Sequence, residues 1–345
     1  MSAAPSVSVV VPVLNAARTL PYCLGSLERL DPAPSQVLLV DNGSTDGSLG
    51  LLRAFAERRS GARALEEPRR GAAAARNAGI RAATGDVVAF TDSDCEPESE
   101  WLDHLTRPFT DARVGAVAGR VTAAPAGSIT ELFSALYTLQ SPNLPARLTH
   151  WTPWQGGFPT ANLAVRRRRL EELGGFDERI EIYGEDYDLC ARLYTAGAEV
   201  AYEPEAVVVH HHRTSVAGML RQTFGFGRAH PFLLNRHAPR GLWIDLPFRS
   251  FGPTGFPGRA WVDLAAADKK VLAILLLGAV YGPSLWLLAP YAGWLVVLAR
   301  RRARIAGAPV SLLGGMALAG MLLLKSGAMT AGRWYGSARY GAVCF

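Results

Sequence analysis

The chain is expected to fold as an α/β protein, with a doubly wound, mostly parallel sheet followed by a helical, membrane-associated region. Three observations lead there. Up to Phe90, short apolar runs alternate with segments of helical period. Three of these runs end in polar residues, Asn15, Asp41 and Asp92, and doubly wound sheets bind ligands at the carboxyl ends of their strands. Beyond Asp268 there is no acidic residue, and the apolar runs become long enough for lipid.

Val7–Val13 is a continuous apolar run ended by Pro12 and Asn15, as in a strand buried on both faces. Thr19 can cap a helix through about Leu30, with Leu20, Leu24 and Leu27 at helical spacing. Gln36–Val40 is a second strand, followed by Asp41-Asn42-Gly43-Ser44-Thr45-Asp46 and a helix through Leu49, Leu52 and Phe55. Ala62–Leu65 is a third strand, Gly71–Ala83 an alanine-rich helix carrying Arg76 and Asn77, and Asp86–Phe90 a fourth strand. Further on, Trp101–Phe109 reads as helix, Val114–Val121 as strand and Ile129–Leu139 as helix. Pro142–Pro159 is a Pro/Trp/Gly-rich loop. Ala161–Val165 and Val207–His212 read as strands, with helices near Arg166–Leu173 and Tyr187–Ala196 between them.

The 345 residues are 49% hydrophobic and carry a net charge of +6, ample for a core and modest in charge. The late basic residues Arg300, Arg301, Arg302, Arg304, Lys325, Arg333 and Arg339 punctuate apolar runs. That is a membrane pattern and not a polar nucleic-acid-binding face, so no nucleic-acid partner is expected. Cys23, Cys95, Cys190 and Cys344 have no C-x-x-C or zinc spacing, which fits buried free thiols in a reducing compartment. The opening MSAAPSVSVVVPVLN lacks a basic region and reads as a first strand, not a signal peptide.

The chain is organised around Ala89–Glu96, AFTDSDCE. Asp92 and Asp94 lie just past a buried strand, one residue apart, and can turn toward one ligand as the chain leaves the sheet. Carboxylates are hard donors suited to Mg²⁺ or Mn²⁺, ions that reach substrates by bridging diphosphate oxygens.

With VSVVVPVLN, VDNGSTDGS, GAAAARNAGI, FTDSD, GGFPTANLAVRRRRLEELGGFDE and YGEDYDLCARL in order, roughly residues 6–235 resemble the family-2 glycosyltransferases. The resemblance implies a Rossmann-like GT-A fold and inverting sugar transfer from a nucleotide-diphosphate sugar. It implies that Pro12, Asn15, Asp41, Arg76 and Asp92 serve the donor nucleotide: Asp41 accepts from the nucleobase, Arg76 lies against the base, and Asp92 reaches the ribose. An Asp can accept from a uracil or guanine ring N–H, and uracil is favoured; Asp41 can equally close an Asx-turn. Asn42 stands where the family commonly has a second Asp. Asp94 matches the metal-holding position, and a His at the end of Val207–His212 often completes that site. His210 is the choice, with His212 in reserve on the same face by strand alternation.

Glu185-Asp186 matches the pair opening a helix on the acceptor side. Asp186 is the general-base candidate, its pKa raised by Glu185 and Asp188, although an acidic helix N-terminus alone has the same pattern. Arg221–Ala229, RQTFGFGRA, resembles the segment lining the acceptor side and adds Gln222 and Arg228. The Gln-x-x-Arg-Trp form of processive synthases is absent. Arg166–Arg169 reads as a solvated or membrane-surface basic face.

Val271–Ala299 is apolar throughout, about 44 Å if helical against a lipid core of about 30 Å, with Pro283 and Pro290 as breaks. Pro309–Ala331 is a further apolar run in which Lys325 can snorkel. Trp334, Tyr335 and Tyr340 suit an interfacial belt. The organisation expected is a glycosyltransferase domain over 1–235, a linking amphipathic connection over 236–268 and membrane-associated helices over 269–345. The expected function is metal-dependent transfer to a lipid-linked acceptor, such as a polyprenyl phosphate or glycolipid, at the cytoplasmic face of the cell membrane. One alternative is a non-catalytic nucleotide-sugar-binding or scaffold protein. A Rossmann-type oxidoreductase is the other; VPVLNAARTL lacks G-x-G-x-x-G, which counts against it.

Overall fold

The computed structural model describes residues 5–138, 143–180 and 183–345. Leu139 and Pro142, at the edges of a predicted helix and loop, lie outside the described residues. The chain divides into two compact units, Met1–Ala124 with Leu139–His211, and Pro125–Thr138 with His212–Phe345.

The first unit opens with alternating strands and helices: β1 (Val7–Val13), α1 (Leu20–Glu28), β2 (Gln36–Asp41), α2 (Ser48–Arg58), β3 (Ala62–Glu66), α3 (Ala72–Ala82) and β4 (Val87–Phe90). It continues with β5 (Cys95–Pro97), α4 (Trp101–Thr106) and β6 (Val114–Ala123). After α5 (Ile129–Tyr137), which belongs to the second unit, come β7 (Ala146–Leu148), β8 (Leu163–Arg166), α6 (Arg167–Leu173), α7 (Glu185–Thr195) and β9 (Glu199–His210). Strand order is β3-β2-β1-β4-β8-β6-β9-β5, with β7 beside β9. The β3-β2-β1-β4 half is parallel, as its continuous apolar runs require. β8 inserts antiparallel between β4 and β6, and β6 and β9 are parallel again.

Successive side chains serve opposite faces of this sheet. Val9, Val11, Leu39 and Val87 pack with Leu20, Leu27, Leu52, Phe55 and Trp101. Val10, Leu38, Val88 and Phe90 pack with Leu163, Leu170, Leu189 and Leu193 on the other side. Each such side chain contributes about 1.5–3 kcal/mol relative to exposure. The small residues of α3 bring it against the sheet: a Cβ on Gly79 would fall 2.4 Å from Val10 Cγ1. Thr19 precedes α1 without a side-chain cap; its hydroxyl donates to the Ala16 carbonyl instead.

In the second unit, α8 (Val216–His237) precedes β10 (Gly241–Leu246), β11 (Arg249–Thr254) and β12 (Arg259–Asp263). These strands lie in 236–268, the stretch read as a connection, and form a sheet of order β11-β10-β12-β13 with β13 (Val343–Cys344). The apolar region folds as α9 (Ala267–Val280), a 3₁₀ turn over Gly282–Leu287, α10 (Leu288–Ile305) and α11 (Leu312–Tyr340). Pro283 opens the turn; Pro290 lies in the first turn of α10, where no N–H is required of it. Gly282–Ile305 and Leu312–Tyr340 are long and apolar enough to cross a membrane. α8 and α11 meet at glycines: Cβ atoms on Gly227 and Gly332 would lie 2.2 Å from the Met329 and Phe224 carbonyl oxygens.

Candidate active site

Parallel pairing of β1 with β2 and β4 brings the segments leaving them to one edge of the sheet. Asp41 ends β2. Its Oδ2 accepts from the backbone N–H groups of Gly43 at 3.0 Å and Ser44 at 3.1 Å, which is the expected Asx-turn. Its Oδ1 is buried and has no hydrogen-bond partner among the described residues. A carboxylate oxygen withdrawn from water and left unpaired is costly, and a ligand N–H relieves that cost.

Asn42, where the family commonly has Asp, donates from Nδ2 to the Glu67 and Arg69 carbonyls, both at 2.8 Å, and accepts from Gly71 N at 2.8 Å. A carboxylate cannot make the two donations, so the amide is what fastens the loop between β3 and α3. Asn15 sits in the left-handed region at φ 50°, which Asn tolerates. Its Oδ1 accepts from Thr45 N at 2.8 Å. Pro12 lies opposite Val40 within the β1–β2 pairing.

Arg76 on α3 is 5% exposed and bridges two segments. Nη1 donates to Glu185 Oε1 at 2.7 Å and Nη2 to Asp92 Oδ1 at 2.9 Å, with the guanidinium over the Phe176 ring. The residue expected against a base thus has its guanidinium held between two carboxylates. Burial opposes its charge, but Asp92, Glu185 and Asp186 outweigh burial and raise its pKa. Glu185 and Asp186 open α7 behind Gly184, whose φ of 99° turns the chain into the helix. Burial first, then the Glu185 carboxylate, push the Asp186 carboxyl up to about 7, against the pull of Arg76. Asp188 is fully buried and paired with Arg192 at 2.8 Å; Asp92 is the second acid that raises Asp186.

A short strand absent from the sequence reading sets the remaining geometry. β5 pairs antiparallel with β9, Cys95 opposite His210, and His211 N donates to the Asp94 carbonyl at 2.8 Å. His210 Nε2 then lies 3.5 Å from Asp94 Oδ1, with Cys95 as the third member of a group whose ligand atoms fall within 4.8 Å of one another. Two donors that share one ion through bonds of about 2.1 Å stand roughly 3–4 Å apart, so the carboxylate and imidazole fit a divalent cation. The Cys95 thiol is held well above its ordinary pKa by burial, then by Asp94 and Asp92. As a soft donor it suits a hard ion poorly.

β9 ends at His210, so strand alternation does not carry on to His212, which belongs to the second unit. His211 pairs instead with Glu96 and stacks on Tyr22. Gln222 and Arg228 lie on α8 in the second unit, the Arg228 guanidinium over Tyr335. The Arg167–Arg169 face is laced with ion pairs: Arg167 to Glu171, and Arg168 and Arg169 to Glu172.

Residues 8–174 match the family model described as glycosyl transferase family 2. The chain is similar to the "Pre-mycofactocin glycosyltransferase" of Mycobacterium tuberculosis, 36% identical over 245 residues, 67% of this chain and 48% of that protein. It thus spans about half the length of that relative. It is 29% identical over 259 residues to "Glycosyltransferase AglE" of Haloferax volcanii, covering 72% of this chain and 82% of the relative. Its fold is similar to that of the mannosyltransferase PcManGT from Pyrobaculum calidifontis, solved in complex with GDP-Man and Mn²⁺. There the TM-score is 0.59 at 22% identity, over 93% of this chain and 86% of that one. With its motifs in the family's order on a GT-A sheet, the chain carries a domain over residues 8–174 that matches glycosyl transferase family 2.

Proposed function

We propose that this protein is an inverting, metal-dependent glycosyltransferase. It moves a sugar from a nucleotide-diphosphate donor, with UDP favoured, to a membrane-delivered acceptor such as a polyprenyl phosphate or glycolipid. The observation that carries this reading is Arg76, which ties Asp92 to Glu185 and so joins the nucleotide edge of the sheet to the helix bearing Asp186.

In the reaction, the unpaired Oδ1 of Asp41 accepts the ring N–H of the base. Asp94 and His210 would hold the divalent cation, Mn²⁺ or Mg²⁺. What such an ion supplies when bound is charge neutralisation at the diphosphate. Asp186 takes the proton of the attacking acceptor oxygen, a sugar hydroxyl of a glycolipid or the remaining P–OH of a polyprenyl phosphate, as that oxygen attacks the anomeric carbon. The bond from that carbon to the diphosphate breaks on the opposite face, and its electron pair leaves with the nucleotide. A carboxyl whose pKa lies near neutrality suits that base role.

The relatives' names and the GDP-Man and Mn²⁺ of the Pyrobaculum enzyme support the reaction class. The apolar helices support attachment at a membrane, with the first unit on the cytoplasmic side. The test is nucleotide release from a panel of UDP- and GDP-sugars with Mn²⁺ and membrane lipid extract. Release that requires both metal and extract supports the reading; binding without turnover across the panel contradicts it.

A further inference from the structure

The second unit holds a cavity of about 300 Å³ whose lining includes four cations, Lys270, Arg302, Lys325 and Arg333, against one acid, Asp263. Asp263 is already paired with Arg333 at 2.9 Å. Among the described residues no carboxylate pairs with the other three. Lys270 donates to the Ala265 carbonyl, Lys325 to the Tyr137 carbonyl, and the Arg302 guanidinium lies 4.9 Å from the Tyr137 ring centroid. The nearby Asp268 is occupied by Ser326, Thr330 and Lys269. Tyr137 lines the same cavity, and its hydroxyl is buried with no hydrogen-bond partner.

Lys270 is reached by the charges of Asp263 and Asp268, but Arg302 and Lys325 have no paired carboxylate among the described residues; these cations, next to an unused hydroxyl, repel one another unless an anion joins them. Lys325 stands near the middle of the 29-residue apolar α11, where an unpaired charge is especially costly next to lipid. The outer surface of the adjoining helices is greasy: Leu276 is 62%, Leu277 50% and Val297 65% exposed. Tyr291 and Trp294, stacked at 5.8 Å, also line the cavity, and Trp294 is exposed as interfacial aromatics are.

We propose that this cavity binds the phosphate headgroup of an anionic lipid, with Lys270, Arg302 and Lys325 as its counter-charges and the Tyr137 hydroxyl as a neutral donor. A lipid fits better than a free anion, because the apolar helices around the cavity offer a surface for its chains. This site lies wholly in the second unit and does not depend on sugar transfer.

The test is native mass spectrometry of the full chain, released from detergent after exposure to phosphatidylglycerol, polyprenyl monophosphate or phosphatidylcholine. The wild type is expected to retain one anionic lipid and no phosphatidylcholine. The double variant Arg302→Gln with Lys325→Gln is expected to weaken retention by about thirtyfold, from two lost charges. A surface control, Arg301→Gln with Arg304→Gln, should retain lipid as the wild type does. A melting temperature for the double variant equal to or above that of the lipid-free wild type separates lost binding from lost folding. Tyr137→Phe, which keeps the ring, should weaken retention without unfolding the chain. Retention undiminished in the double variant, equal loss in the surface control, or displacement of the lipid by millimolar inorganic phosphate overturns the proposal.

Discussion

Arg76 donates to Glu185 at 2.7 Å from a side chain almost sealed from water, so the helix that carries the base candidate is pinned to the helix behind the nucleotide edge. The same guanidinium holds Asp92. Replacing it strands buried acids, which costs about 3–5 kcal/mol when a buried pair loses one partner. Arg76→Gln is therefore expected to lower the unfolding free energy by that amount, read as a lower denaturant midpoint at an unchanged m-value. Arg76→Lys keeps the charge but loses the fork, and should recover only part of the stability. A midpoint within error of the wild type for Arg76→Gln contradicts the bridge.

Asp186 has a definite pH signature. Its folded pKa is raised to about 7, so the carboxylate needed as a base appears only as pH climbs through that region. Transfer should rise with pH up to about 7 and then level, and Asp186→Asn should abolish transfer while leaving nucleotide affinity unchanged. The stability sign is the reverse of a salt-bridged acid. The folded state holds the proton more tightly than the unfolded chain, so this group's contribution is full below about pH 4 and is lost as pH rises through about 7. Asp186→Asn should thus be more stable than the wild type at pH 8, by up to about 4 kcal/mol for a carboxyl raised from its ordinary pKa to about 7 and seen as a higher melting temperature, and equal to it near pH 4. Equal melting at both values contradicts the raised pKa.

Asn42→Asp tests the departure from the family's usual acid. The change removes two donations and sets a carboxylate against the Glu67 and Arg69 carbonyls. A loss of about 2–4 kcal/mol is expected at neutral pH, easing as pH falls toward about 4 because burial among carbonyls favours the protonated carboxyl, which can again donate one hydrogen bond. Thermal melts at the two pH values measure it, and a neutral effect contradicts the clamp.

Much of this was legible in the sequence for physical reasons. Strands buried on both faces cannot hide their apolar runs, so β1, β2 and β4 read directly, and the polar residue after each run marked the ligand edge. β5 is only three residues long and has no apolar run of its own. Yet its pairing with β9 is what sets Asp94 against His210. The partners of Arg76 and Asn42 lie as far as 109 and 29 residues away, and no periodicity reports such distances. Arg166–Arg169 reads as a solvated or membrane-surface basic face because Glu171 and Glu172, the partners of Arg167, Arg168 and Arg169, count only once the helix places them three or four residues on; Arg166 instead donates to the Val114, Phe109 and Asp111 carbonyls. The sheet within 236–268 is hard to read because its strands are only five or six residues long and β11 carries Gly252-Pro253.

The central claim is that Asp94 and His210 hold a divalent cation for a nucleotide diphosphate at this edge of the sheet. Calorimetric titration of UDP, with GDP in parallel, into the wild type and Asp94→Ala, each with and without Mn²⁺, tests it most directly. Mn²⁺ is expected to strengthen wild-type binding by about 10–100-fold and to have no effect on Asp94→Ala. Nucleotide binding of equal strength with and without Mn²⁺ in the wild type, or the same Mn²⁺ gain in Asp94→Ala, contradicts it.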